Sequence, residues 1–575
     1  MAFFKLFSLL SIIALSAGRL VVHESRAITP PGFVSGGAAS AGDMLTLRVA
    51  LASNNIAGLQ DRLMTLSTPV SSEFRRWLSM DEVKSFVQPS PETLEAFTTW
   101  ASVNRLNYTI VSPNSDWVSF TLPVSQANQL FGANFEVFTH PAMTTSIART
   151  LSVSLPSELV GHVEVLYPTT QFVDPNSLLG HSTGVSLEQR SPSASCNTSD
   201  PNGVMNPICL QELYGVPTNG TTKNTNTILV PGYIGAFAQP SDLEIFLQLY
   251  RPDVPSNTTF TVTRINGSSP SDPDLVGLEA VLDLEYTIGL APKVPSVFLS
   301  VGGTDFPQAL LDTTTFIDGL ESPPSVLSTS YGAAESTFGD SMAIKLCHAY
   351  MALGARGVSV LFGSGDGGVR GLHDDNTTDC SNNTFIPIFP TSCPYVTSLG
   401  GTAGFGPEVA LNLTGGGFSN IFAAPPYQTS AVASYLDTIP ADFPGTFNRT
   451  GRGYPDIALQ AWNFEIVNNG TTSLIYGTSA GSPVFAAMLA MINDRLVAAG
   501  KPTLGFLNPF IYSTGSAAFT DITSGHNSGL VCPASSVAFD AAVGWDATTG
   551  IGTPRFADLL TAAMASASAA NPVGH

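Results

Sequence analysis

The period of apolar positions changes several times along this chain. In Pro91-Glu92-Thr93-Leu94-Glu95-Ala96-Phe97 apolar side chains recur three apart, the spacing of a helix face, whereas Trp117-Val118-Ser119-Phe120-Thr121-Leu122 alternates as a half-buried strand does. Such patterns mix from residue 19 to about residue 170 and predict an α+β domain with an antiparallel sheet. From 171 to 195 they dissolve into Asp174-Pro175-Asn176, Gly180-His181-Ser182-Thr183-Gly184 and Gln189-Arg190-Ser191-Pro192-Ser193. That composition suits an exposed linker open to proteolytic processing near Arg190, or equally one that stays intact. Residues 196 to 575 alternate helices with apolar runs that end at glycine-rich loops. The runs are Val297-Phe298-Leu299-Ser300-Val301-Gly302-Gly303, Val358-Ser359-Val360-Leu361-Phe362-Gly363-Ser364-Gly365 and Tyr395-Val396-Thr397-Ser398-Leu399-Gly400-Gly401. Near-continuous apolar strands are buried on both faces, so an α/β fold follows: a mainly parallel sheet with helices on both faces. Sites in such folds gather beyond the carboxyl ends of the strands, and Asp366 stands at one of those ends. Asp among glycines is also an ordinary turn former.

Length and composition then narrow the class. A chain of 575 residues, 43% apolar, holds two folded units plus processing segments. At residues 1–18 one early cation, Lys5, precedes the apolar run Leu6 to Ala17 and the small residues Ser16, Ala17 and Gly18, the pattern of a secretory signal peptide rather than a membrane anchor. Ten Asn-x-Ser/Thr triplets, from Asn107 to Asn469, suit a secreted, glycosylated chain. Six cysteines, all after residue 195, predict one to three disulfides among 15 possible full pairings. With 44 acidic against 23 basic residues and a net charge of −21, nucleic acid and anionic membranes are poor partners. Only 12% of residues are charged, so acid has few ion pairs to disrupt. Extracellular work at low pH is the natural reading.

Candidate chemistry centres on Gly477-Thr478-Ser479-Ala480-Gly481-Ser482-Pro483, a hydroxyl between glycines before an apolar helix whose N-terminus turns N–H groups and partial positive charge toward Ser479. A serine nucleophile needs a base, and the histidines beyond the linker are unpromising. His348 fits a helix interior, His373 a polar loop, His575 is terminal, and His526 lies far along the chain. The carboxylates do better. In Leu278-Glu279-Ala280-Val281-Leu282-Asp283-Leu284-Glu285-Tyr286, Glu279 and Asp283 stand four apart on one helix face. A buried pair of this kind shares a proton, while a solvated surface pair merely repels.

Taken together, these motifs resemble those of the sedolisins, the serine-carboxyl peptidases that include the tripeptidyl peptidases. The resemblance rests on Glu279-x-x-x-Asp283, the Ser-Gly-Asp loop at Asp366, Gly-Thr-Ser-x-x-x-Pro at Ser479, Cys209-Leu210-Gln211-Glu212-Leu213-Tyr214, and Trp77-Leu78-Ser79-Met80-Asp81-Glu82-Val83 in the N-terminal half. It implies a subtilisin-like catalytic domain over 196–575, a propeptide over 19–170 acting as intramolecular inhibitor and chaperone, and polypeptide substrates. It also implies Ser479 as nucleophile, Glu279 as base and then acid, Asp283 as its orienting partner, and a protonated Asp366 as oxyanion donor. Glutamate titrates near 4.3, where histidine is locked as imidazolium, so the implied chemistry suits acid. The family further implies one structural calcium ion, with side-chain oxygens from Asp521 and Asp546 and carbonyls from Ile522, Ala542 and Gly544. Ala542 stands where relatives carry glycine, which a carbonyl ligand tolerates. Release of tripeptides from free N-termini is the expected activity, with acid endopeptidase as the alternative.

Two other classes fit parts of the sequence. Gly477-x-Ser479-x-Gly481 also matches the nucleophile elbow of α/β-hydrolases, with Asp494 or Asp521 and then His526 downstream. A secreted binding glycoprotein on a peptidase-like scaffold is the non-catalytic reading, and the intact Glu279, Asp283, Asp366 and Ser479 argue against it.

Overall fold

The computed structural model describes residues 19–173, 196, 203–218, 226–268 and 277–566; the leader at 1–18 and the linker residues 174–195 with Arg190 lie outside the described residues. In the N-terminal part, helix starts follow local chemistry. Ser79 accepts the Glu82 N–H while Glu82 reaches back to the Ser79 N–H, a capping box that opens the Met80–Val87 helix. Ser90 caps Pro91–Val103, with proline in the first turn. Strand Trp117–Pro123 lies between Tyr108–Ile110 and Met44–Leu51, and Val163–Tyr167 completes the four-stranded antiparallel sheet. Its alternation sorts Val118, Phe120 and Leu122 into one apolar cluster with Phe97 and Trp100 of the Pro91–Val103 helix.

The larger part is built on an eight-stranded sheet. Thr261–Ile265, Ser296–Val301, Ile228–Gly232, Val326–Thr329, Ser359–Gly363 and Thr397–Ala403 run parallel in that order; Ile457–Gln460 pairs parallel to the last and Val409–Ala410 antiparallel to it. Both faces are buried, as the unbroken apolar runs require. Val230, Phe298, Val326 and Leu361 pack on one side with the helices Leu278–Leu290 and Gly481–Ala498. Leu229, Leu299, Leu327, Val360 and Phe362 pack on the other with Phe306–Asp318 and Asp340–Ala355. The period-two side-chain alternation of a strand thus supplies two cores from one sheet.

The N-terminal domain lies against the second of these helical faces. Leu59, Leu63 and Leu66 of the Ile56–Ser67 helix share an apolar cluster with Leu346, Tyr350 and Met351. Trp77 reaches between Gly357 and Gly505, and its Nε1 donates to the Thr503 carbonyl at 3.0 Å. Ion pairs cross the boundary: Arg48 with Asp312 at 2.6 Å, Arg149 with Asp305 at 2.8 Å, and the buried Lys345 with Asp116 at 3.1 Å and Glu164 at 3.0 Å. The scarcity of charge along the sequence therefore conceals a concentration of it here. The cysteines pair as Cys196–Cys209, Cys347–Cys393 and Cys380–Cys532. Among the described residues no helix is long and apolar enough to cross a membrane.

Candidate active site

Ser479 sits in a single 3-10 turn, Thr478–Ala480, that runs directly into the Gly481–Ala498 helix. The turn is held by its neighbour. Thr478 donates its N–H to Asp366 Oδ1 at 2.7 Å and its hydroxyl lies 2.9 Å from the same oxygen, while Gly365 N–H donates to Thr478 Oγ1 at 3.0 Å. Gly477, at φ +150°, has no room for a side chain, because a Cβ there would lie 2.6 Å from Asp366 Oδ2. The glycines of both motifs thus let two loops meet, and Asp366 Oδ2 is left facing Gly477. Burial pushes the Asp366 carboxyl up to about 6, against the Thr478 donors that favour its charged form.

Glu279 and Asp283 lie on the Leu278–Leu290 helix, which packs along the helix that follows Ser479. Asp283 is fully buried and Glu279 half-buried with its Oε1 out of solvent, so the pair is not a freely solvated one. Asp283 Oδ1 accepts the Ser330 hydroxyl at 2.8 Å; among the described residues its Oδ2 and Glu279 Oε1 are buried without a hydrogen-bond partner. Burial pushes both carboxyls well above the carboxylate range, and the Asp283 charge raises Glu279 further. The hydroxyls of Ser479 and Ser330 face Glu279 and oppose that rise. Two interacting carboxyls of this kind titrate as a unit. The Ser479 hydroxyl reaches the Ser330 carbonyl at 3.4 Å, a loose bond of the sort that tightens only when substrate is present.

Ser330 and Tyr331, which the sequence reading passed over, border a small cavity with Gly332, Asp366 and Ser479, floored by Leu372 and His373. His373 was expected in a polar loop; the backbone bridge between Asp366 and His373 turns that loop into the floor of the site. The signal for Ser330 was present in Ser328-Thr329-Ser330-Tyr331-Gly332, hydroxyls and a glycine at the end of an apolar strand. A wider cleft continues from Asp366 past Arg370, Leu372 and Ile386 to Phe33 and Phe172. Gln171 and Phe172, expected in the exposed linker, are instead buried, Phe172 against Phe33 and Phe138, so the packed N-terminal domain runs past residue 170. Phe172 N–H donates to the Thr337 carbonyl at 3.3 Å, so the N-terminal domain forms one wall of this cleft.

The hydrolase-elbow arrangement meets two obstacles. The strand before Ser479, Thr471–Ile475, belongs to a separate two-stranded hairpin rather than to the large sheet. His526 lies in a different loop, with its Nδ1 accepting the Ser528 N–H at 3.3 Å and its backbone bridging Asp540.

The residues expected around calcium come together from two loops. Asp521 Oδ2 accepts the Gly544 N–H at 2.8 Å, and Asp546 Oδ2 accepts the Ala542 N–H at 3.1 Å. Asp546 is fully buried among N–H and hydroxyl donors of Thr548 and Thr549, and burial pushes it up to about 6. Among the described residues no donor reaches the carbonyl oxygens of Ile522, Ala542 or Gly544. A buried carboxylate, a second carboxylate and three open carbonyls are a donor set that fits a hard cation.

A family model described as the pro-kumamolisin activation domain matches residues 31–172. The chain is 34% identical to a probable tripeptidyl-peptidase SED4 of Trichophyton verrucosum, over 95% of this chain and 94% of that one. It is 35% identical to a probable tripeptidyl-peptidase SED3 of Arthroderma benhamiae, over 94% of each chain. Among solved structures, Pseudomonas sedolisin, a serine-carboxyl proteinase complexed with two molecules of pseudo-iodotyrostatin, is similar at 22% identity and a TM-score of 0.49, covering 62% of this chain and 97% of that one.

Proposed function

The chain belongs to the sedolisin family of serine-carboxyl peptidases, and from that premise we propose that it is a secreted acid peptidase which releases tripeptides from the free N-termini of polypeptides. The observation that carries this reading is the placement of three carboxyls around one serine, with Asp366 fastened to the Ser479 turn and Glu279 beside it on the same helix face as the buried Asp283. Tripeptide release is supported by the similar fungal proteins, which are named as probable tripeptidyl-peptidases. Secretion rests on the leader pattern and the Asn-x-Ser/Thr triplets.

In the proposed cycle Ser479 Oγ attacks the peptide carbonyl as Glu279 takes its proton, and Asp283 steadies the Glu279 carboxyl. Neutral Asp366 donates to the oxyanion, and Glu279 returns the proton to the departing amine. Water then enters, Glu279 again takes a proton, and the acyl-enzyme is hydrolysed. Two conditions must hold together: the Glu279–Asp283 pair has lost one proton and Asp366 has kept its own. The second fails as pH rises through about 6, which confines activity to acid. The N-terminal domain, walling the cleft, acts as an intramolecular inhibitor until the linker is cut. Asp521 and Asp546, with the carbonyls of Ile522, Ala542 and Gly544, would hold one calcium ion, which supplies positive charge to a buried carboxylate.

Glu279→Gln tests the reading. It should abolish both acid proteolysis and self-processing, and retained activity would sink the proposal. Mass spectrometry of products from a peptide with a free N-terminus and from its N-blocked twin, at about pH 3 to 7, separates tripeptide release from internal cleavage.

A further inference from the structure

Ser330 follows the buried strand Val326–Thr329 and meets Ser479, Glu279 and Asp283 at once. Its Oγ donates to Asp283 Oδ1 at 2.8 Å and lies 3.2 Å from the Ser479 carbonyl oxygen. Its own carbonyl accepts the Ser479 hydroxyl, and its hydroxyl faces Glu279. A hydroxyl has one hydrogen and two lone pairs, so it serves one of these acceptors at a time.

We propose that Ser330 is a positioning residue of the peptidase site: its single hydroxyl hydrogen decides which of Glu279 and Asp283 carries the proton they share, while its carbonyl aims the Ser479 hydroxyl. The inference rests on the reading of Glu279 as base. With the hydrogen turned to Asp283, the shorter of its contacts at 2.8 Å against 3.2 Å to the Ser479 carbonyl, Asp283 is the favoured anion and Glu279 keeps the proton, ready to serve the leaving amine. The reverse state is reached when the Glu279 proton passes to Ser330 Oγ as the Ser330 hydrogen passes to Asp283 Oδ1. One O–H bond breaks at Glu279 and one at Ser330, one forms at Ser330 and one at Asp283, and the total charge is unchanged. Glu279 is then the free base facing Ser479.

Other ionisable groups frame Ser330 and do not duplicate it. Asp366 and His373 come from the loop after Ser359–Gly363, and Asp374 acts on Asp366 from further along that loop. Tyr331, with Tyr233 against its ring, is a buried phenol pushed well up by burial and by the Glu279 and Asp283 charges, so it stays neutral in the working range.

The test compares Ser330→Ala, Ser330→Cys, Ser330→Thr and Glu279→Gln as processed enzymes across about pH 3 to 7, on a peptide with a free N-terminus. Removing a donor to a carboxylate raises its pKa. Ser330→Ala should therefore move the acid limb of kcat/KM upward by about half a pH unit or more, and lower kcat about tenfold with KM little changed. Ser330→Cys keeps the shape with a weak donor and should shift the limb the same way, which preserves the test if the alanine variant does not mature. Ser330→Thr should restore the wild-type limb. Uniform loss without a limb shift in both Ser330→Ala and Ser330→Cys, or a Ser330→Thr limb that stays shifted, overturns the inference. An active Glu279→Gln enzyme would instead overturn the reading beneath it, so the two failures are distinct.

Discussion

Both hydrogen bonds from Thr478 to Asp366 end on the same carboxyl oxygen, Oδ1, and leave Oδ2 turned toward Gly477. A carboxyl held this way can offer a proton from the free oxygen while the other stays tied to the serine turn.

Asp366→Asn should keep the Thr478 bonds and donate from its amide at every pH. The fall of kcat/KM as pH rises through about 6 should then disappear, with activity persisting toward neutrality. Asp366→Ala should lose about 10²- to 10³-fold in kcat at all pH. A steady-state pH profile of each variant decides the matter; an Asp366→Asn profile that still falls near the same pH would show that another group sets the limb.

Asp318, buried beside Asn114 of the N-terminal domain, is pushed up to about 7 by burial and then by Asp116, with Arg356 opposing. A raised carboxyl binds protons more tightly in the folded chain, so its contribution to stability is present below its ordinary value and is lost as pH rises through about 7. His348, pushed down to about 4 by burial, works the other way as pH falls. Asp318→Asn in an inactive Ser479→Ala background should raise stability near pH 7.5 by about 1–3 kcal/mol and leave it nearly unchanged near pH 4. Denaturant unfolding at the two pH values checks this, and equal effects at both would contradict the assignment.

Burial alone would pull the Lys345 pKa down, yet the charges of Asp116 and Glu164 outweigh it. Lys345→Met removes the cation from between them and should weaken the attachment of the N-terminal domain by about 3–5 kcal/mol. The zymogen should process itself faster and at higher pH than the wild type, as followed by gel. An unchanged processing rate would mean that the apolar contacts alone hold the domain.

Calcium occupancy can be read from unfolding. A chelator should lower the midpoint of thermal unfolding by roughly 5–10 °C, and added calcium should restore it. Asp521→Asn should need more calcium for the same recovery. A midpoint indifferent to chelator and calcium, in wild type and variant alike, would remove the ion from the account.

What the sequence made legible was what local geometry decides. Four positions on a helix put Glu279 and Asp283 on one face, and an apolar run ending in Gly363-Ser364-Gly365 put Asp366 at a strand end. Ser330 was not legible as a partner of Ser479, because 149 residues separate them and only the sheet order brings their loops together. The same holds for Arg48 and Asp312, 264 residues apart, and for the choice of cysteine pairs. His348 was read as a helix-interior residue and is one; that its helix faces the other domain depends on packing that no short window contains.

Leu59, Leu63 and Leu66 pack with Leu346, Tyr350 and Met351 on the far side of the sheet from Glu279 and Ser479. Cutting the linker severs one peptide bond and leaves those side chains together. Cleavage and departure are therefore separate events with separate rates, the first set by chemistry and the second by the wetting of an apolar surface. A severed molecule can remain a covered one, and a count of cut chains overstates the count of open clefts.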